Sequence, residues 1–442
     1  MRPALILTLI VLTPLLQSQT LVRKALIGLY VTEQNGSLVI DSVARSSTGS
    51  ALELQKDDRL ISVNGQTVTD FKQYIKLVSE IRAGDKFEAQ IRRKNKVLTR
   101  RTIALARPLL RSNHAYVTYD WIPFRAGYLR TITYKPIDKE KVPAILFIPG
   151  YGCGSIENYK GSYNGRLIDD WLQNGYAVVT VEKSGMGDSF NCLPCAEVDL
   201  ATDIESFDAG FRYMKKLDYV DQQQLYIWGH SLGGMIAPEI ARRHKPNGVM
   251  VFGTVFRPWV ELLPEMHRVQ KPLMEGLTMV QTEQFLRGIQ KVYFEFFVLK
   301  ESRTALAQNP EYSALVLSEL EHKDNDNNMW GRHWRFWQQI DSLNLAKSWA
   351  EVQCPLLIIN GGSDYEQCAP IEPLLIEQTV NETHAGNATR VQIEDLDHFM
   401  MQSSSYPEAL QNFRNRAFLK GNFNTKISAE TINWLNKQTG KS

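Results

Sequence analysis

At 442 residues the chain is longer than one ordinary hydrophobic core organises, so two or three domains are expected. Its 50 Lys and Arg nearly balance 48 Asp and Glu, and a formal charge of +2 without a basic stripe argues against nucleic acid as a partner. Met1-Arg2-Pro3, an almost unbroken apolar run over 4–16 and a polar run over 17–20 follow the layout of a secretory signal. The apolar run is shorter than the ~20 residues a membrane-spanning helix needs. A signal over 1–20 and export to a periplasmic or secreted location are therefore expected, with no spanning segment after cleavage. Gln17-Ser18-Gln19 lacks the small residues of a usual cleavage site, which leaves an uncleaved surface anchor as the alternative. Five cysteines in such a chain permit a disulfide and leave at least one thiol over.

Residues 24–105 read as a small mixed domain. Strand-like runs at 27–31 and 38–43 precede a strand over 60–63 that ends in the Asn64-Gly65 turn. Asp70 is suited to cap a helix that buries Phe71, Tyr74, Ile75 and Val78, and runs at 87–92 and 97–104 complete the sheet. The Gly28-Leu29-Tyr30 loop, the segment 51–61 and Val63-Asn64-Gly65 resemble a bacterial, periplasmic-type PDZ domain over 21–107. Asp57 departs from that pattern, standing where the family usually has glycine, and Asp tolerates the left-handed conformation. The resemblance implies that amides of Gly28, Leu29 and Tyr30 bind the carboxylate of a protein C-terminus while the peptide adds as a strand. The alternative is a packing module whose groove the chain itself fills.

After a linker at 108–113, two hairpin strands are expected at 115–121 and 128–134. From there strands alternate with helices, the signature of a mostly parallel sheet with helices on both faces. Strands are expected at 144–148, 177–181, 225–228, 249–252, 356–360 and 389–393, with helices at 167–174, 199–217 and 427–438. Residues 256–350 show no clear strand and many helix formers and aromatics; they are too long for a loop and read as a helical insertion.

The strand at 225–228 runs into Gly229-His230-Ser231-Leu232-Gly233, a Gly-x-Ser-x-Gly turn followed by a helix. Such a turn strains the central residue's backbone, and side chains at the flanking glycines would collide with it. Ser231 is the expected nucleophile. A serine hydroxyl needs a base, and the base needs a third group to fix its tautomer. Asp364, after the 356–360 strand, and His398, after the last strand, stand at the same sheet edge in the order Ser, Asp, His. His384 precedes the last strand, His230 cannot meet its neighbour's side chain, and Asp397 points away from the His398 ring, so these read as structural. Leu232 supplies one oxyanion N–H, and the glycine-rich loop 149–154 supplies the other, from Tyr151 or alternatively Gly152.

Residues 149–154, 184–189, the Gly229 elbow, Asp364 and His398 together resemble the α/β-hydrolase superfamily, in its serine aminopeptidase-like and esterase-like branch, from about 113 to the end. The resemblance implies an α/β-hydrolase fold over 108–442 whose insertion at 256–350 is a helical cap roofing the pocket. Pro149 departs from it, since many members carry histidine there, and Pro238 within the helix after the elbow costs a hydrogen bond and is expected to kink it.

Three functions are consistent with these residues. The first is an exported serine hydrolase that cleaves an ester or thioester of a small molecule through an acyl-enzyme. The second is a peptidase on short peptides whose amine is held by cap carboxylates such as Glu261 or Glu265. The third is a PDZ-based scaffold with an inert hydrolase body, against which the complete triad argues. No cofactor or metal is expected: Asp324, Asp326 and Asn328 mimic a calcium loop, but Met329 and Arg335 occupy its glycine and glutamate positions. Cys153 and Cys195 lie in loops that open from neighbouring strands at one sheet edge and are the expected disulfide. Cys192 with Cys195 is the competing pair, while Cys354 and Cys368 are separated by a strand.

Overall fold

The computed structural model describes residues 23–323, 326–415 and 421–440, so the expected signal lies outside the described residues. The chain divides into two compact units, Met1–Pro108 and Leu109–Ser442.

In the first unit β1 (Leu29–Gln34) and β2 (Ser37–Val43) form an antiparallel hairpin, and α1 (Thr48–Ala51) leads to β3 (Arg59–Val63), β4 (Gln66–Thr67) and α2 (Phe71–Ser79). With β5 (Lys86–Arg93) and β6 (Lys96–Ile103) the sheet order is β1-β2-β3-β5-β6, and β4 pairs β3. Two sequence expectations rest on local backbone chemistry and match the structure. Asp70 caps α2 by accepting the Gln73 N–H at 2.8 Å, and Asp57 takes a left-handed φ of 69°. The expected buried face of α2 needs correction. Of its four residues only Tyr74 is fully buried, whereas Phe71 and Ile75 are 47% and 45% exposed. The helix turns Tyr74, Leu77 and Val78 onto the core instead. The one-turn α1 and the two-residue β4 are too short to leave a periodic signal, and neither was anticipated.

The second unit opens with the hairpin β7 (Ala115–Phe124) and β8 (Gly127–Pro136). β9 (Val142–Ile148), α3 (Tyr163–Gln173), β10 (Ala177–Val181), α4 (Leu200–Met214), β11 (Val220–His230), α5 (Leu232–His244) and β12 (Gly248–Phe252) follow. After an insertion come β15 (Leu356–Gly361), α12 (Ile371–Thr383), β16 (Ala388–Ile393), α13 (Tyr406–Arg414) and α14 (Thr425–Thr439), which complete the unit. The order β16-β15-β12-β11-β9-β10-β8-β7 is parallel from β16 to β10 and antiparallel at β8 and β7. Strands of this kind are buried on both faces and read as unbroken apolar runs. In β9, Ala144, Leu146 and Ile148 enter one core while Ile145 and Phe147 enter the other. Full burial of a residue such as Phe147 stabilises the fold by roughly 1.5–3 kcal/mol. Helices α12 and α13 are additions to the sequence reading; α12 carries apolar residues around much of its circumference, so no one-sided stripe marks it.

The insertion comprises α6 (Trp259–Glu275), α7 (Met279–Tyr293) continued by one π-helical turn, Phe294–Val298, then α8 (Arg303–Ala307) and α9 (Ser313–Glu319). It is not wholly helical. Asn328–Met329 (β13) and Arg332–His333 (β14) form a two-residue hairpin before α10 (Trp334–Asp341). The last expected turn of the cap, α11 (Leu345–Ala350), packs on α5 and α12 of the body. Tyr293, Phe296, Phe297 and Phe336 are fully buried, in one apolar cluster with residues of the sheet such as Leu146 and Val249. Asp324 of the calcium-like run lies outside the described residues.

Candidate active site

Ser231 sits between β11 and α5 with φ 55° and ψ −124°, a conformation that costs a non-glycine residue strain. The flanking glycines show what enforces it. A β-carbon on Gly229 would lie 2.5 Å from the Gly233 carbonyl oxygen, and one on Gly233 would lie 2.1 Å from the Ile148 carbonyl oxygen. The turn leaves the Leu232 N–H at the first position of α5, among the donors a helix leaves unpaired.

The turn after β15 delivers Asp364, which is fully buried. Its Oδ1 accepts the Glu366 and Gln367 N–H groups at 3.0 and 2.7 Å, and its Oδ2 accepts His398 Nδ1 at 2.8 Å. That bond fixes the tautomer and leaves Nε2 as the nitrogen able to accept a hydroxyl proton. Burial opposes charging the ring, yet Asp364, with Glu366 and Asp397 nearby, outweighs it and holds the His398 pKa above its usual 6.5. Gly253 makes room for the pair: a β-carbon there would stand 3.0 Å from both Asp364 Oδ2 and His398 Nδ1.

The residues read as structural have other partners. Asp397 accepts the Phe399 and Met401 N–H groups and the Ser403 hydroxyl, away from the ring. His230 bonds the His398 carbonyl oxygen at 2.9 Å, and burial drives its pKa down to about 3. A neutral His230 thus anchors the backbone of His398.

Ser231, Leu232 and His398 line one cavity of about 450 Å³ with Gly150, Tyr151 and Gly152. The Tyr151 ring packs edge-on against Trp337 at 5.2 Å, and Trp337 meets Trp259 at 4.9 Å. These two tryptophans, with Leu262 and Met266, bring the cap to the cavity wall. Glu261 and Glu265 are not on that wall. Glu261 is exposed and Glu265 is held by Arg257 at 2.5 Å, so neither is placed to hold a substrate amine. Among the described residues Glu366 is the carboxylate that lines the cavity, and burial raises its pKa. Sequence reading passed over it because its position two residues after Asp364 carries no motif.

Cys153 and Cys195 form a disulfide with α-carbons 5.8 Å apart, tying the loop after β9 to the loop after β10. Cys192, Cys354 and Cys368 are free thiols. Glu182, also missed, holds the far end of the first loop: Ser155 Oγ donates to its Oε1 at 2.5 Å and the Ile156 N–H to its Oε2 at 3.2 Å. Burial raises the Glu182 pKa to about 8.

In the first unit β1 is an edge strand that pairs only with β2 among the described residues. Gly28 precedes it with φ 69°, and Tyr30 is 63% exposed. α2 is tied to the strand at both ends, by the Glu33 carboxylate accepting the Phe71 N–H at 2.7 Å and by Tyr74 Oη donating to the Leu29 carbonyl at 3.5 Å.

Comparison with known proteins is consistent with both units. The model of the alpha/beta hydrolase family matches residues 145–410, and that of the PDZ domain matches 25–103. Esterase EstD of Thermotoga maritima is 22% identical over 219 residues, which span 49% of this chain and 44% of that protein. Thus the chain matches less than half the length of this curated relative. Similar solved structures include Est1E from Butyrivibrio proteoclasticus, 15% identical over 73% of this chain and 99% of that one, with a TM-score of 0.45. Another is the alpha/beta hydrolase GrgF from Penicillium sp. sh18, 13% identical over 74% of this chain and 99% of that one, also at 0.45. Among the described residues no helix is long and apolar enough to cross a membrane.

Proposed function

The chain belongs to the alpha/beta hydrolase family, and from that premise we propose that it is an exported serine hydrolase that cleaves esters or thioesters through an acyl-enzyme. The bond from His398 Nδ1 to Asp364 Oδ2, with His398 lining the same cavity as Ser231, carries the reading. Ser231 Oγ attacks the carbonyl carbon as His398 takes its proton, and the acyl group stays on the serine while the alcohol or thiol leaves with that proton. Water activated by the same histidine then attacks the ester carbonyl and releases the acid and free Ser231. Leu232 N–H and a Tyr151 or Gly152 N–H receive the charge that develops on the carbonyl oxygen.

Among the described residues the wall is largely aromatic and aliphatic and carries Glu366 but no Lys or Arg. Uncharged or cationic acyl groups suit it, and anionic ones do not. The same carboxylate supports a second reading, hydrolysis of aminoacyl or short-peptide bonds with the amine on Glu366. For the PDZ domain the open edge of β1, flanked by exposed Tyr30, Phe71 and Ile75, supports binding of a protein C-terminus. The disulfide suits the oxidising compartment that export would reach.

Labelling with a fluorophosphonate followed by peptide mapping tests the central assignment. Ser231 should carry the label, and recovery of unmodified Ser231 from inhibited protein would overturn it. Rates on acetyl, succinyl and glycyl esters of one alcohol separate the substrate readings.

A further inference from the structure

Two consecutive carbonyl groups of the loop after β9 are held by buried cations. The Lys183 ammonium donates to the Gly150 carbonyl at 2.6 Å, and Arg332 Nη1 donates to the Tyr151 carbonyl at 2.9 Å. The two cations are 3% and 0% exposed, and they share one carboxylate. Asp203 Oδ2 lies 2.9 Å from Arg332 Nη1 and 3.7 Å from Lys183 Nζ. Arg332 also reaches the Val198 carbonyl at 3.5 Å and stacks on Phe336 at 4.0 Å. Lys183 follows β10, Asp203 lies in the first turn of α4, and Arg332 belongs to the cap hairpin, so three separate elements meet on two adjoining peptide groups.

We propose that Lys183, Asp203 and Arg332 are positioning residues for the oxyanion hole, and that the cap completes the hole through Arg332. In a trans peptide the C=O and the following N–H point in opposite senses. Holding the Gly150 carbonyl on Lys183 turns the Tyr151 N–H away from that lysine, and holding the Tyr151 carbonyl on Arg332 does the same for the Gly152 N–H. Both candidate donors are thereby aimed before substrate arrives. The first of these peptides starts beside the nucleophile, since a β-carbon on Gly150 would stand 3.4 Å from Ser231 Cβ.

The anchors add more than orientation. A carbonyl bonded to a cation polarises its peptide and makes the opposite N–H a stronger donor. Two cations against one carboxylate also leave positive charge behind the hole, where charge separation in the reaction needs it. Burying cations is costly, and packing alone would be served by apolar side chains. Burial lowers the Lys183 pKa to about 8, with Asp203 opposing the fall, so the ammonium persists at neutral pH.

The inference rests on the acyl-enzyme reading, and the test separates the two. Parent enzyme is first titrated with a fluorophosphonate; a parent that takes no label on Ser231 defeats that reading before any variant is compared. Arg332→Met, Arg332→Lys and Lys183→Met are then assayed per labelled site, on protein whose melting transition shows it folded. Removal of an anchor is expected to lower kcat on a short neutral ester by about 10²-fold with KM little changed. Affinity for a trifluoromethyl ketone, whose adduct places its oxygen in the hole, should weaken by the same factor. Arg332→Lys, which keeps a cation, should recover part of both losses. A lowered melting temperature with parent-like kcat and inhibitor affinity in any folded anchor-less variant would overturn the proposal. If Arg332→Met fails to fold, Lys183→Met decides by the same criteria.

Discussion

The cavity around Ser231 is built from side chains that are themselves held: Asp364 accepts three hydrogen bonds, and the adjoining loop is pinned by Lys183, Arg332, Glu182 and a disulfide. The open edge of β1 in the PDZ domain offers backbone groups, with Tyr30, Phe71 and Ile75 standing in solvent around it. Chemistry on a carbonyl demands donors fixed before the transition state, so their supports must be buried. Strand addition demands only an unpaired edge and apolar neighbours, so its determinants can remain exposed. The two regions should therefore answer substitution very differently.

The largest effect is expected from Ser231→Ala, which removes the attacking oxygen and should abolish turnover of activated esters while leaving the melting temperature unchanged. Parent-like rates in that variant would end the nucleophile assignment. Asp364→Asn should reduce kcat by about 10⁴-fold, because an amide presents the wrong partner to His398 Nδ1. Steady-state kinetics on folded protein would check it.

Glu366→Gln sharpens the comparison through pH. The base must be neutral, so kcat/KM rises as His398 loses its proton, and the raised pKa places that limb above 6.5. Removing the Glu366 charge should move the limb to lower pH and reduce preference for a glycyl over an acetyl ester by about tenfold, on the order of one charge pair. An unmoved limb would show that Glu366 does not act on the ring.

Smaller effects are expected at the strand edge. Ile75→Asp should weaken binding of C-terminal peptides by about tenfold, consistent with loss of one apolar contact, and leave ester hydrolysis untouched. Deleting residues 1–108 should change kcat/KM on small esters by less than about twofold, because every proposed catalytic residue lies in the second compact unit. An inactive but folded remainder would break the contrast, showing that the PDZ domain contributes to the cavity.

Local rules carried much of the architecture into the sequence. Doubly buried strands such as β9 and β10 read as continuous apolar runs, and Gly229 answers a contact four residues away, although Gly233 answers Ile148 on the remote β9. Asp70 declared the start of α2 because a cap acts three residues away. Cys153 and Cys195 could be paired because their loops leave neighbouring parallel strands. What joins distant segments was not legible. Arg332 lies 181 residues from the Tyr151 carbonyl it holds, in a hairpin too short to show a period. Glu366 carries no motif, and the Arg257 partner of Glu265 lies on no shared helical period with it. The exposed flank of α2 also escaped, since amphipathic spacing marks an apolar stripe but not how far round the helix the core extends. Sequence by itself determined the strands of the large sheet, the elbow and the order of the triad candidates, because short-range sterics and hydrophobic periodicity are written into adjacent residues. Only the tertiary structure decided which charges support the oxyanion loop and which carboxylate faces the cavity, because those contacts exist only once remote segments are brought together.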